Sequence, residues 1–192
     1  MSCAVAGAFA VPALTAVQVV DEALRVQPGE TLLVNGAGGV TGGLIVSLAV
    51  LRGARVLATA GPSSMEQVLR AGAETVVDYH DAEWPEQVLV ATGRRGVDAA
   101  ANMGGGAASA LQPVRDGGRL ATITSDPPGA ERGNGISSLY VRPNAGQLHR
   151  AVQALDSGGL EFKLGARFSL PQADAALKRA IRGGGGAVAL EL

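Results

Sequence analysis

The sequence predicts an α/β fold of the Rossmann type, in which a doubly wound parallel sheet carries helices on both faces. Two observations lead to this prediction. Short apolar segments of strand character alternate with segments of helical periodicity along the whole chain, and parallel strands need such crossover helices between them. In addition, the first predicted strand runs into a glycine cluster that opens onto a helix, which is the context that indicates a nucleotide site.

The composition suits this fold and argues against several others. The chain has 192 residues, which fits one domain, and 47% of them are hydrophobic, which allows a substantial core. Glycine contributes 28 residues, about twice its average usage of roughly 7%. A net charge of −1 with scattered basic residues disfavours a nucleic-acid groove. The single cysteine, Cys3, rules out a disulfide within the chain.

The first predicted element is a helix over residues 13–24. Its apolar positions follow helical spacing, and we expect it to end at Pro28-Gly29. The apolar segment before residue 20 has no basic start, and Pro12 interrupts a run too short to cross a bilayer. We therefore expect a soluble, cytoplasmic protein without a membrane partner.

Strands and helices then alternate to the end of the chain. The predicted strands cover residues 31–35, 55–60, 75–78, 97–101, 119–124, 136–141, 166–170 and 187–192. The predicted helices are one that ends near residue 53 and those over residues 64–71, 83–91, 107–114, 145–157 and 172–181. Residues 125–135 are a loop by composition.

The glycine cluster has the spacing Gly36-x-x-Gly39-x-x-Gly42, with Thr41 where the commoner G-x-G-x-x-G pattern places its last glycine. Glycine allows a tight turn and the close approach of a ligand, and the start of the helix offers unpaired N–H groups that suit a pyrophosphate. We therefore expect the three glycines to bind a dinucleotide. The alternative is a glycine-rich turn that has no ligand.

The end of the second predicted strand indicates which dinucleotide binds. An NAD site of this fold usually places an acidic residue about 20 residues after the glycines, where it holds the adenosine ribose. Residues 59–64 contain no carboxylate, and Ser63 and Ser64 would admit a 2′-phosphate, so the sequence favours NADP(H). Ser63 also has a structural alternative, because Ser63-x-x-Glu66 matches a helix capping box, and the two roles can coexist.

A series of short segments in one order resembles the medium-chain dehydrogenase/reductase superfamily, in its zinc-independent quinone-oxidoreductase branch. The segments that carry the resemblance are residues 27–30, 35–42, 51–60, 70–73, 76–79, 96–98, 117–120 and 140–143. The resemblance implies that the pyrophosphate loop comprises Gly36, Gly39, Val40 and Thr41. It places Ser64 where many members carry a basic residue for the 2′-phosphate.

The same resemblance implies contacts at both ends of the cofactor. Tyr79 falls where a tyrosine often flanks the 2′-phosphate, while Asn102, Met103 and the strand end at residues 123–125, which includes Thr124, would line the nicotinamide half. Two of these residues have structural alternatives. Tyr79 could be a half-buried residue at a strand end, and Asn102 could be a turn residue before the glycines at 104–106.

The resemblance also implies a domain organisation. Members begin with a GroES-like catalytic domain, and this sequence does not contain one. We expect a Rossmann NADP-binding domain over residues 1–182, with residues 1–28 as its leading helix segment. Residues 183–192 would form the strand that in the family joins the catalytic domain. A natural stand-alone domain, a truncated gene product and an engineered fragment all remain open.

Other chemistries find little support in the sequence. His80 and His149 have no metal-ligand spacing, no G-x-S-x-G elbow is present, and neither Tyr79 nor Tyr140 has a lysine four residues later. We therefore predict no metal and assign no catalytic residue. The expected function is hydride transfer from NADPH to a quinone or an activated alkene. The alternative is a non-catalytic NADP-binding module or a fragment completed by another chain.

The final expectation is a homodimer. The strand predicted over residues 136–141 would lie at the edge of the sheet, and an unpaired edge invites a second strand. The apolar residues of the first helix and of the strand at 187–192 would also be bare, which soluble monomers rarely tolerate.

Overall fold

The computed structural model describes residues 1–124, 126–183 and 185–191. Six parallel strands form one sheet in the order β3-β2-β1-β4-β5-β6, and the order reverses between β1 and β4. This arrangement confirms the predicted doubly wound fold. The strands are β1 (Thr31–Asn35), β2 (Arg55–Thr59), β3 (Thr75–Val77), β4 (Val97–Asn102), β5 (Val114–Thr122) and β6 (Gly135–Ser138).

Helices cover both faces of the sheet. They are α1 (Cys3–Val17), α2 (Val40–Leu51), α3 (Met65–Arg70), α4 (Trp84–Ala91), α5 (Ala107–Leu111), α6 (Ala145–Asp156) and α7 (Ala173–Ile181). Neighbouring strand residues point to opposite faces, so Leu32 and Val34 pack with α1 and α2 in one cluster. Leu33 lies in a second cluster with Trp84 of α4 and Leu111 of α5.

The first helical element is longer than the sequence predicted. It runs without a break from Cys3 to Ala23, with Pro12 inside it and a π-helical segment over Gln18–Ala23. It ends before Pro28-Gly29, because the chain turns at Arg25, whose φ is +48°. By length and composition the 21-residue helix could cross a membrane, so the expectation that the run is too short was wrong. About 56% of its most apolar window is buried inside the fold.

Two predicted boundaries move around the fifth strand. Helix α5 ends at Leu111 and not at residue 114, and β5 begins at Val114, five residues before the predicted start. The pairing of β4 with β5 shifts register between Val97 and Ala99, and Gly117 in the extra segment has a φ of +69°. The early half of β5 is therefore an irregular extension that the apolar pattern did not reveal.

A small second sheet follows the main one. Strands β7 (Leu164–Ser169) and β8 (Ala187–Glu191) pair in parallel, joined by a short 3₁₀ turn at Leu170–Gln172 and by α7. Ala187 and Ala189 of β8 are buried, and the strand packs beside α1. The expected bare apolar faces of the first helix and of the terminal strand are therefore largely covered within the chain. The predicted residues Ser125 and Leu192 lie outside the described residues.

Candidate functional site

A cleft of about 760 Å³ opens at the carboxyl ends of β1, β2 and β4. This is the position where the strand order reverses, and doubly wound sheets bind their ligands at such a point. The cleft is lined by the glycine turn, the end of β2, the segment after β3, the loop after β4 and the end of α7. Its lining residues include Gly36, Gly38, Gly39, Gly61, Ser63, Ser64, Tyr79, His80, Trp84, Met103, Gly104, Ser109 and Arg182.

The glycine turn brings backbone to the cleft without side chains. Gly36 follows β1 directly with a φ of +84°, a backbone conformation that favours glycine. Gly39 is the N-cap of α2, so the first N–H groups of this 12-residue helix, from Val40 onward, lack partners within the helix. A Cβ added to Gly39 would have no atom closer than 3.5 Å, so this surface is open to a ligand.

Gly42 has a different role from the other two glycines of the motif. It is buried and does not line the cleft. A Cβ on Gly42 would lie 2.7 Å from the Cα of Ala37 and would overlap the carbonyl of Gly36. Glycine at this position therefore lets α2 pack directly against the turn that precedes it, which the spacing of the motif alone could not distinguish from a ligand contact.

Five polar residues at the ends of four neighbouring strands form a hydrogen-bonded row beneath the turn. We call this row the cleft floor; it consists of Asn35, Thr59, Asn102, Thr122 and Thr124. The strand register produces it, because Asn35 is opposite Asn102 and Asn102 is opposite Thr122. The first four are buried side chains, and buried polar groups of this kind are normally fully hydrogen-bonded.

The amide of Asn35 fixes the direction of the first bonds in the cleft floor. The Gly104 carbonyl can only accept, so the Asn35 Nδ2 must face it, at 2.8 Å, and the Asn35 Oδ1 must face Thr59. The Thr59 hydroxyl donates to that oxygen over 2.6 Å and accepts the Gly36 N–H over 3.0 Å. The floor thus holds the first residue of the glycine turn in place.

The direction continues through Asn102 to the other end of the floor. Asn35 Nδ2 also donates to Asn102 Oδ1 over 2.7 Å, so Asn102 Nδ2 donates to the hydroxyls of Thr122 and Thr124, each over 3.1 Å. The Thr122 oxygen also accepts the Thr124 N–H, so both of its lone pairs are used. In its contact with the Thr124 oxygen, over 2.7 Å, the Thr122 hydroxyl must therefore be the donor. The hydroxyl hydrogen of Thr124 is then left for a group outside the floor.

The opposite side of the cleft is largely exposed to solvent. We call it the cleft rim; it consists of Ser63, Ser64, Tyr79, His80 and Arg182. The N-cap of α3 is Ser64 and not Ser63, and no side chain caps the helix, so the predicted capping box is wrong. The Ser64 hydroxyl instead donates to the Gly61 carbonyl over 3.2 Å.

The charges of the rim favour an anion. Arg182, at the end of α7, is the only Lys or Arg among the described residues that line the cleft. The same described residues include no Asp or Glu. Asp78 lies just behind the rim and accepts from both the backbone N–H of His80, over 3.0 Å, and its ring Nδ1, over 2.7 Å. These two bonds hold the pKa of Asp78 below its ordinary value.

The structure brings six of the predicted site residues to the cleft and leaves five outside its lining. Those on the cleft are Gly36, Gly39, Ser63, Ser64, Tyr79 and Met103. Val40 and Thr41 form the first turn of α2, Gly42 packs behind the glycine turn, and Asn102 and Thr124 belong to the cleft floor. The roles of all eleven as cofactor contacts stay predictions.

Sequence reasoning did not assign five residues of the floor and rim to the site, namely Asn35, Thr59, Thr122, His80 and Arg182. Arg182 lies more than a hundred residues after the glycine turn and reaches the cleft only because α7 returns to it. Asn35 ends a strand that was recognised, and its pairing with Asn102 could have been found by aligning the two predicted strands in parallel. In the part of the chain that the structure describes, no three His, Cys, Asp or Glu side chains gather as metal ligands would.

Comparison with known proteins gives the class of this fold and site. Residues 40–159 match the zinc-binding dehydrogenase family. A solved NAD-dependent alcohol dehydrogenase superposes with a TM-score of 0.89 and 28% identity, over 100% of this chain and 60% of that one. The class is that of a nucleotide-binding domain of dehydrogenases and reductases.

Two curated relatives differ in size from each other. Quinone oxidoreductase-like protein 2 of Mus musculus is 35% identical over 94 residues, which are 48% of this chain and 27% of that protein. A phenolphthiocerol/phthiocerol polyketide synthase of Mycobacterium tuberculosis is 33% identical over 137 residues, 70% of this chain and 6% of that protein. The chain therefore spans only a part of each of these relatives. It belongs to the zinc-binding dehydrogenase family, within the medium-chain dehydrogenase/reductase superfamily.

Proposed function

We propose that the chain binds NADP(H) in the cleft and presents it for hydride transfer to a small acceptor, a quinone or an activated alkene. The volume of about 760 Å³ falls within the range of cofactor pockets. The open backbone at Gly39 and the positive end of α2 suit a pyrophosphate. NADPH supplies the hydride, and the protein supplies binding and orientation.

The charge of the cleft rim is the observation that carries the preference for NADP(H). NAD sites of this fold usually have a carboxylate at the end of the second strand, and a carboxylate would repel a 2′-phosphate. Here that place has Ser63 and Ser64, with Arg182 on the same cleft. Arginine donates to phosphate in a planar fork, which makes it the residue best suited to this group.

The cleft floor supports a role in placing the nicotinamide end. A dinucleotide that crosses the reversal point, with its adenosine at β2, would bring its nicotinamide toward β4 and β5. Met103 lines that part of the cleft, and the floor behind it ends at Thr124, whose hydroxyl hydrogen is not used within the floor. The floor would orient the ring while the rim selects the phosphate.

Titration with two cofactors tests the proposal. We expect NADPH to bind more tightly than NADH, because only NADPH carries the 2′-phosphate. The change in fluorescence on binding should therefore reach its midpoint at a lower concentration of NADPH than of NADH. Gly39→Val should weaken both cofactors, because its side chain would occupy the approach of the pyrophosphate while the nearest protein atom, 3.5 Å from its Cβ, leaves the fold intact. Gly43→Ala is the matched control, with its nearest atom at 3.7 Å and no contact with the cleft. Equal affinities for NADPH and NADH would contradict the proposal.

A second candidate is a non-catalytic NADP-binding module. One observation favours it: the described residues that line the cleft come from a single nucleotide-binding fold, and the chain spans about a quarter of its quinone oxidoreductase-like relative. NADPH consumption with a simple quinone separates the two candidates. Saturable turnover that Gly39→Val removes supports the enzyme, and tight NADPH binding without turnover supports the module.

We also propose a homodimer in the cytoplasm, paired through the edge of the main sheet. Strand β6 bonds to β5 on one side, where the Leu139 N–H donates to Thr122 over 2.9 Å. In a parallel pair the backbone N–H groups of alternate residues face the neighbouring strand, so the N–H of Ser138 points away from β5. Ser138→Pro should therefore prevent pairing, while Ser138→Ala should not. Light scattering that gives a monomer mass for the unchanged chain at all concentrations would contradict the dimer.

A further inference from the structure

His80 is a cleft residue whose charge the proposed function has not used. It is one of two histidines in the chain, and its side chain is 61% exposed. The ring packs on that of Tyr79, with centroids 4.2 Å apart. Histidine is the side chain whose charge ordinarily changes between about pH 5 and 8.

Asp78 determines which ring nitrogen of His80 can respond to a ligand. The His80 Nδ1 lies 2.7 Å from the Asp78 carboxylate oxygen, which also accepts the His80 backbone N–H. A carboxylate only accepts, so Nδ1 keeps its hydrogen whether the ring is neutral or charged. The proton that changes the charge of the ring is therefore carried by Nε2.

The His80 ring lies on the cleft beside Gly61. A Cβ built on Gly61 would lie 3.2 Å from the His80 Cε1 and 3.3 Å from the Tyr79 hydroxyl, and Gly61 itself lines the cleft between β2 and Ser63. Cε1 lies between the two ring nitrogens, so this contact places the ring as a whole beside the place proposed for the 2′-phosphate, with Nδ1 held by Asp78. A neutral Nε2 presents a lone pair to that phosphate, and a protonated one presents an N–H and a positive charge.

We infer that His80 is a specificity-determining residue that strengthens binding of a ribose 2′-phosphate when its ring is protonated, so that the preference for NADP(H) over NAD(H) increases as the pH falls. The inference rests on the proposed function, because it acts on the same phosphate. Ser63 and Ser64 on the facing turn are neutral. Among the described residues, the charged or titratable groups that contact the ring, neighbour it in sequence or share the cleft with it are Asp78, Tyr79, Asp81 and Arg182.

None of these neighbours removes the effect. Asp78 is bonded to His80 in both states, and Asp81 accepts from the Glu83 N–H and the Gln87 side chain in the turn that follows. Arg182 remains charged throughout, so its contribution to binding does not vary with pH. The 2′-phosphate itself gains a proton near pH 6, which weakens binding to cations and therefore works in the opposite direction.

Calorimetric titration with the oxidised cofactors NADP⁺ and NAD⁺ tests the inference with the full chain. We compare the ratio of NADP⁺ affinity to NAD⁺ affinity at about pH 8 and at about pH 6. As the pH falls, this ratio should rise about twofold to fivefold more in the unchanged chain than in His80→Gln, which is the effect of one solvent-exposed charge pair. His149→Gln, which changes the other histidine outside the cleft lining, should behave as the unchanged chain.

Proton uptake gives a second measurement that a structural role of His80 would not affect. In buffers of different ionisation enthalpy near neutral pH, NADP⁺ should bind with net uptake of protons, NAD⁺ should not, and His80→Gln should remove the uptake. Identical pH profiles and uptake in the unchanged chain and His80→Gln, with NADP⁺ still preferred, would overturn this inference alone. No preference for NADP⁺ at any pH would overturn the proposed function as well.

Discussion

The floor and the rim of the cleft are built on different physical principles. The floor residues Asn35, Thr59, Asn102 and Thr122 are at most 4% exposed, and the donors and acceptors of the two amides are matched within a single row. The rim is open to solvent, with Tyr79 50% exposed, and in the part of the chain that the structure describes no hydrogen bond joins the side chains of two rim residues. The floor therefore links binding to folding, whereas the rim can alter specificity at little cost to stability.

The largest expected effect is the loss of stability in Asn102→Ala. This change removes one hydrogen-bond partner from each of three buried or half-buried groups, the Asn35 amide and the hydroxyls of Thr122 and Thr124, and it opens a cavity. We expect the free energy of unfolding to fall by about 3 kcal/mol. Urea denaturation measures it, and Ser63→Ala on the rim is the control, expected to change stability by less than about 0.5 kcal/mol. Equal losses in both variants would remove the distinction between floor and rim.

A smaller loss of stability is expected behind the glycine turn. Gly42→Ala introduces a Cβ at 2.7 Å from Ala37 Cα, so the turn must shift, and we expect a loss of about 2 kcal/mol together with weaker binding of both cofactors. Gly43→Ala, the next residue of α2, has space for its methyl group and should be neutral or stabilising. Thermal unfolding and cofactor titration of the pair check this, and a tolerated Gly42→Ala would show that the turn can move freely.

On the rim we expect a substitution to change cofactor binding and to leave the free energy of unfolding nearly the same. Arg182→Ala should weaken NADPH about tenfold and leave NADH unchanged, because a charged hydrogen bond to the 2′-phosphate is lost. Its free energy of unfolding should stay within about 0.5 kcal/mol of the starting value, since the side chain is exposed. Arg150→Ala on α6, also exposed, is the matched control. A loss of NADH affinity as large as that of NADPH would assign Arg182 to the pyrophosphate.

The smallest effect is expected at the end of the sheet opposite the cleft, where the charge of Asp98 contributes to stability and has no role in cofactor binding. Burial raises the pKa of Asp98, but the Thr31 N–H and Arg115 outweigh it and hold the pKa below its ordinary value. A depressed carboxyl pKa stabilises the fold above the unfolded value near pH 4, and this stabilisation is lost as the pH falls through the folded pKa. Asp98→Asn should cost about 1 kcal/mol at neutral pH. In urea unfolding at several pH values, a cost that does not decrease as the pH is lowered through the acidic range would contradict this assignment.

The sequence was sufficient for most of the sheet because its strands are short apolar runs between glycine or proline turns. β1 was predicted with its observed bounds, and β2 and β3 to within one residue at their ends. The first helix was harder, because small residues such as Ala4 and Ala8 before Pro12 have a weak helical pattern even though the helix continues through the proline. The apolar pattern also could not reveal the bulge that lengthens β5.

The site was predictable only where it is local in sequence. The glycine turn and the serines after β2 are local signals, so they were identified, although spacing could not separate the packing role of Gly42 from a ligand contact. Arg182 was missed because its place on the cleft depends on the return of α7 across the fold, which no nearby residue encodes. His80 carries no local signal beyond the absence of metal-ligand spacing, and its position on the cleft depends on how β3 ends beside β2.

A structure determined with NADP⁺ bound tests the central claim most directly. The proposal predicts the pyrophosphate at the glycine turn, accepting from the first N–H groups of α2 beside Gly39. It also predicts the 2′-phosphate on the rim between Ser63 and Arg182, with the nicotinamide over Met103 at the Thr124 end of the floor. A dinucleotide bound outside the cleft, or bound with its adenosine at Met103, would contradict it.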